Sequence, residues 1–136
     1  MLKIPRAILG ELVAHARRDA PIEACGYLAG IVADGERRVA ARFPLTNVDA
    51  SAEHFSLDPA EQFAAFKEAG RRGLKLAACY HSHPATPARP SAEDIRLAHD
   101  PNISYVIVSL ADAEPSVRSF RIEGGRAEAE EIEITE

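Results

Sequence analysis

The chain has 136 residues, 46% hydrophobic and 27% charged, and its 16 basic and 21 acidic side chains leave a formal net charge of −5. That balance describes one globular domain spanning residues 1–136, able to bury roughly 68% of its unfolded surface. It excludes two classes: the basic residues occur in short pairs such as Arg17-Arg18, Arg37-Arg38 and Arg71-Arg72, with no stripe for nucleic acid or a lipid headgroup surface, and no apolar run approaches a membrane span.

Taken in order, the pattern predicts a helix from Pro5 to Asp19, with proline in its first turn and an apolar stripe of Ile8, Leu12 and Ala16. The run from Met1 to Pro5 leads into polar helix and does not resemble a signal peptide. Cys25 to Val32 reads as a strand, and Asp34-Gly35 as a hairpin turn into a second strand from Arg37 to Phe43. A loop follows over Thr46 to Ala52, where Asn47 is left unassigned, then a short extended piece, His54 to Leu57. Asp58, Pro59 and Glu61 have the spacing of a capping box, which starts a helix running to about Arg72 with Phe63, Phe66 and Ala69 on one face.

The apolar run Leu74 to Tyr80 reads as a buried strand that ends in His81-Ser82-His83. Side chains alternate along a strand, so both imidazoles point one way, with Cys79, and Ser82 points the other. A loop with Pro84, Pro87 and Pro90 leads to Ser91, an N-cap for a short helix from Ala92 to about His99 that puts Asp94 at its third position. Ile103 to Leu110 is a strand buried on both faces. Val117 to Ile122 and Ala127 to Ile134, separated by Gly124-Gly125, are outer antiparallel strands. The order is that of an α/β protein, a mixed β-sheet flanked by helices. His81, His83 and Asp94 can fill three corners of a zinc tetrahedron and leave the fourth to water, as a hydrolase needs. His15, His54 and His99 lie outside this group and read as surface or helix-end residues. Cys25 and Cys79 read as packed free thiols of a reducing, cytoplasmic environment.

Glu23, His81-Ser82-His83-Pro84 and Ser91-Ala92-Glu93-Asp94 together resemble the JAMM, or MPN-plus, zinc metalloproteases, whose signature is a distant glutamate, His-x-His, ten residues and an aspartate. Glu23 to Gly30 also resembles that family's first strand. The resemblance implies a cytidine-deaminase-like fold and a Zn2+ ion on His81, His83 and Asp94, with Asp94 favoured over its neighbour Glu93 by the spacing. It implies Glu23 as general base and Ser91 as a donor to the oxyanion. The implied substrate is the C-terminal tail of a ubiquitin-like or sulfur-carrier protein, cut at a peptide or isopeptide bond. A non-catalytic scaffold of the same fold and a peptidase for small peptides are the alternatives. A nucleoside deaminase is excluded, because the chain has neither His-x-Glu nor Pro-Cys-x-x-Cys.

Overall fold

A computed structural model describes residues 1–136. An eight-stranded sheet carries the fold: β1 (Leu2–Pro5), β2 (Cys25–Ala33), β3 (Glu36–Leu45), β4 (Lys75–His83), β5 (Ser104–Ser109), β6 (Ser116–Glu123), β7 (Arg126–Glu130) and β8 (Ile132–Thr135). Three helices flank it: α1 (Arg6–Asp19), α2 (Pro59–Arg71) and α3 (Ala92–Leu97). The strand order is β7-β6-β5-β4-β2-β3-β1-β8, with β4–β5, β1–β3 and β1–β8 parallel and the other pairs antiparallel. The edge strands β7 and β8 are separated only by Glu131. A sheet whose two edges are joined so tightly must curl round on itself, and α1 packs against β1, β3, β5 and β8.

The predicted α/β class, with a mixed sheet and flanking helices, is the one observed. Four local expectations are corrected. The first residues form an unforeseen strand, so Pro5 is the N-cap of α1 and not its first turn. The C-terminal stretch does not run as one antiparallel strand: β7 pairs with β6, and β8 crosses to the far edge, where it runs parallel to β1. Along α2 the buried side chains are Ala65 and Ala69, whereas Phe63 and Phe66 are 64% and 50% exposed. Small residues let that helix lie close on the sheet. Asp58 caps α2 through the Ala60 N–H, but Glu61 completes no box, because its carboxylate takes the N–H and hydroxyl of Thr46.

Two-residue alternation divides the core. Leu28, Ala78, Tyr80, Val106 and Val108 face α1 and meet Ile8, Leu12 and Ala16. Cys25, Tyr27 and Cys79 face the other way, toward Ala65 of α2 and Ile103. The metal-type residues of β4 fall on this second face. On the first face His15 is buried, contrary to expectation, because Tyr80 supplies it a partner. The Asp19 carboxylate can only accept, so the proton of neutral His15 sits on Nε2 (3.1 Å); Nδ1 then accepts the Tyr80 hydroxyl (2.8 Å), whose oxygen accepts from Arg42 (3.2 Å). Burial, partly offset by Asp19, lowers the His15 pKa.

A bulge at Ala29/Gly30 sets the pairing of β2 with β3, and a Cβ on Gly30 would be driven into the Arg38 carbonyl and to 3.0 Å from Val39 Cα. Backbone neighbours cannot swing aside. Gly30→Ala is therefore expected to cost about 2–3 kcal/mol or more, whereas Gly10→Ala, in open space on α1, should gain about 0.5–1 kcal/mol. Denaturant melts of both variants check this, and equal effects would contradict the close-approach argument.

Candidate metal centre

His81 and His83 stand at the C-terminal end of β4, 4% and 5% exposed, on the face shared with Cys79. Asp94 reaches them from α3. Its position follows from a local rule: Ser91 Oγ accepts the Asp94 N–H (3.0 Å), and Asp94 Oδ2 accepts the Ser91 N–H (2.9 Å), a reciprocal capping box that turns the carboxylate back over the helix start. The same Oδ2 lies 3.2 Å from His81 Nε2 and 3.1 Å from His83 Nε2, and the two Nε2 atoms are 3.1 Å apart. Glu93, the local rival, turns away to Arg96 (3.2 Å).

The donor set fits a small divalent cation. For metal–ligand bonds of about 2.0–2.1 Å, a tetrahedron has edges of roughly 3.3 Å, close to the observed triangle. His83 Nδ1–H donates to the Pro87 carbonyl (2.8 Å), which commits the proton to the outer nitrogen and turns the Nε2 lone pair inward. The His81 ring is stacked on Phe55, with centroids 4.7 Å apart and planes 27° apart. Burial alone would raise Asp94, but in the metal-free centre hydrogen bonds from the protonated imidazoles of His81 and His83 hold its carboxyl well below the usual carboxylate range. Burial would likewise lower His83, yet Asp94 and the Pro87 carbonyl raise it overall.

Neither sulfur joins this cluster, which comprises His81, His83 and Asp94. Burial pushes both the Cys25 and the Cys79 thiols up to about 12, and Cys25 donates weakly to the Leu45 carbonyl (3.7 Å). Both pack in the core beneath α2, as the packing reading expects. His54 and His99 are exposed.

Glu23 immediately precedes Ala24, whose backbone is fixed to Ser82 between the two histidines: Ser82 N–H donates to the Ala24 carbonyl (2.9 Å) and Ala24 N–H to Ser82 Oγ (2.8 Å). The Glu23 side chain is 4% exposed, and its Oε1 has no hydrogen-bond partner. Burial pushes its carboxyl up to about 7; the charge of His83 opposes the shift, and Asp94 and Glu93 add to it. A carboxyl poised there can both take and return a proton near neutral pH.

Sequence reading left Asn47 unassigned, and the fold buries it. Its Nδ2 donates to the carbonyls of Glu23 (3.1 Å), His54 (3.0 Å) and Ser51 (3.4 Å), and its Oδ1 accepts from Asp49 N (3.1 Å) and Ser56 N (3.2 Å). Its position just after β3, at the head of a long loop, was the only available signal. Beside the centre, a cleft of about 550 Å³ runs between α2 and α3, lined by Phe55, Leu57, Phe66, Leu97 and Ile103 and ending on His81 and Asp94.

A curled mixed sheet with a His-x-His strand end and a carboxylate from the following helix defines the JAB class of metallopeptidases, and the chain belongs to it: the family described as prokaryotic homologs of the JAB domain matches residues 5–123. The CysO-cysteine peptidase of Mycobacterium tuberculosis is 38% identical over all of this chain and 92% of its own length. The probable TtuB-protein conjugate cleaving protease of Thermus thermophilus is 39% identical over 93% of this chain and 79% of its own. A solution structure of a protein from Desulfitobacterium hafniense superposes with a TM-score of 0.93 at 47% identity, covering 100% of this chain and 94% of the other.

The raised Glu23 carboxyl has a consequence for stability. The folded protein keeps that proton to about pH 7, whereas an ordinary carboxyl releases it near 4.5, so the unfolded state binds fewer protons across that window and stability falls as pH rises through it. In metal-free protein Glu23→Gln should therefore stabilise by on the order of 3 kcal/mol at pH 8, with the gain vanishing below about pH 4. Denaturant melts across pH test this; a gain that does not vary with pH would contradict it.

Proposed function

We propose that this chain is a zinc-dependent peptidase or isopeptidase that hydrolyses the amide bond at the C-terminal tail of a ubiquitin-like or sulfur-carrier protein. In this reading residues 1–136 act as one catalytic domain, His81, His83 and Asp94 hold the metal, Glu23 is the general base, and Ser91 assists at the oxyanion. The observation that carries it is the convergence of three metal-type donors within 4.8 Å of one another, on strand and helix elements that also bring in a buried, unpartnered glutamate. Two neutral imidazoles and one carboxylate favour zinc with a fourth position open. The relatives' names support the substrate class: one is named a CysO-cysteine peptidase, another a probable TtuB-protein conjugate cleaving protease. A reducing cytoplasm suits the two free thiols, and no helix is long and apolar enough to cross a membrane.

When bound, zinc would polarise the scissile carbonyl and acidify a water molecule. Glu23 takes the proton of the attacking water and returns it to the departing amine, the two-way transfer of a general base that becomes a general acid. Ser91 serves two ends of one hydroxyl without conflict. Its oxygen accepts the Asp94 N–H, which leaves its O–H to donate to the oxyanion. The apolar cleft ending on His81 excludes water from one side of the reacting bond.

The test is cleavage of a tailed carrier–peptide or carrier–cysteine conjugate followed by mass spectrometry, with and without a chelator. Chelation should abolish turnover and added zinc restore it. Glu23→Gln should keep one metal per chain and lose about 10²–10⁴-fold in kcat, and Ser91→Ala about 10²–10³-fold. Cleavage that survives chelation, or survives loss of the Glu23 carboxyl, contradicts the proposal.

A further inference from the structure

We infer that Asn47 is a positioning residue for Glu23, holding the base over the metal centre through its backbone. The inference rests on the reading of Glu23 as the general base. The side chain of Glu23 does not hold itself: Oε1 is buried with no hydrogen-bond partner. A carboxylate without such an anchor takes its position from its own main chain. Both polar groups of that main chain are tied to one loop. Glu23 N–H donates to the Ser51 carbonyl (2.9 Å), and the Glu23 carbonyl accepts from Asn47 Nδ2 (3.1 Å).

Asn47 is also what makes that loop a fixed object. It is 8% exposed; its two N–H groups reach three carbonyls, with Ser51 (3.4 Å) the longest and shared contact, and its oxygen accepts two N–H groups, which cross-braces residues 47–56; the pairing of Asn47 with Leu57 and the Val48 N–H bond to the Ser56 carbonyl (3.0 Å) close the base. On its other side Ala24 is clamped to Ser82. Glu23 thus sits between a strand that carries the metal ligands and a loop braced by one amide, and removing that amide frees one side. Releasing it should displace the carboxylate by a fraction of an ångström to an ångström, a scale that costs up to about 10²-fold in rate when the displaced group is reactive. Substrate binding and the three metal donors stay in place.

The experiment is a double-mutant cycle on turnover of the tailed conjugate, with metal content measured for each protein. Asn47→Ala should lower kcat about 10–100-fold, leave KM within about twofold and retain one metal per chain. In a Glu23→Gln background it should cost nothing further, because the displaced group is already absent. Asp49→Ala loosens the outer face of the same loop, where Asp49 bonds the side chains of His54 (3.0 Å) and Ser56 (2.7 Å), and should leave kcat at the wild-type level. Should Asn47→Ala fail to fold, Asn47→Asp, which keeps the acceptor oxygen and cannot donate to Glu23, is read in the same way. Full kcat in Asn47→Ala while Glu23→Gln is inactive overturns the positioning role alone. So does an additive loss in the double variant, a loss of metal, or an equal fall in Asp49→Ala. Undiminished turnover in Glu23→Gln overturns the base assignment and this inference together.

Discussion

Ser82 and Ala24 are joined by two hydrogen bonds, one to the backbone and one to the hydroxyl, and the register they set decides what faces what. Ser82 lies between the two histidines, and Ala24 follows the glutamate, so this pairing brings a base and two metal-type ligands together from segments 58 residues apart. Strand registers are unforgiving. A slip of one residue would turn both imidazoles into the α1 core and bring Tyr80 out to the cleft. The continuation of the same ladder, with Cys25 opposite His81 and Tyr27 opposite Cys79, packs apolar and thiol groups under α2 and resists such a slip.

Around that register the protein keeps several polar groups out of water. Glu23 has no partner for Oε1, the imidazoles are almost wholly buried, and Asp94 is held ionised between them. Each carries a desolvation cost that an apolar core would not. The opposite face offsets this with a packed cluster of Leu2, Ile4, Leu12, Leu28, Val106 and Val108, and with a polar chain, Arg42–Tyr80–His15–Asp19, in which each bond is satisfied. The unpartnered Glu23 Oε1 lies where a metal and a substrate can meet it, a pattern expected where function overrides local stability; the other buried atoms without a partner are Nε of Arg37 and of Arg121, both outside the centre.

Much of the centre was legible because the rules that build it are local. Alternation on a strand puts His81 and His83 on one face, and Ser91 three residues before Asp94 is the spacing of a helix cap; neither needs knowledge of the rest of the chain. The hairpin at Asp34-Gly35, where φ is 53° and 76°, is local in the same sense. What could not be read depends on distant partners. Phe63 and Phe66 have the spacing of a buried stripe, but the approach of α2 to the sheet selects Ala65 and Ala69. β1 and β8 have four residues each, too few to show a period, and pair only because the sheet curls. His15 looks like a helix-end residue until Tyr80, 65 positions away, gives it a reason to be buried. Asn47 stands in a loop that shows no pattern at all, and its importance comes from the carbonyls that happen to surround it.

The central claim, that two imidazoles and one carboxylate hold a single ion with no help from sulfur, is tested most directly by X-ray absorption at the zinc edge of the zinc-loaded protein. The account predicts four nitrogen or oxygen neighbours at about 2.0–2.1 Å, with the outer-shell signature of two imidazoles that falls to one in His83→Ala. A sulfur neighbour at about 2.3 Å, or a spectrum unchanged when His83 is removed, would contradict it.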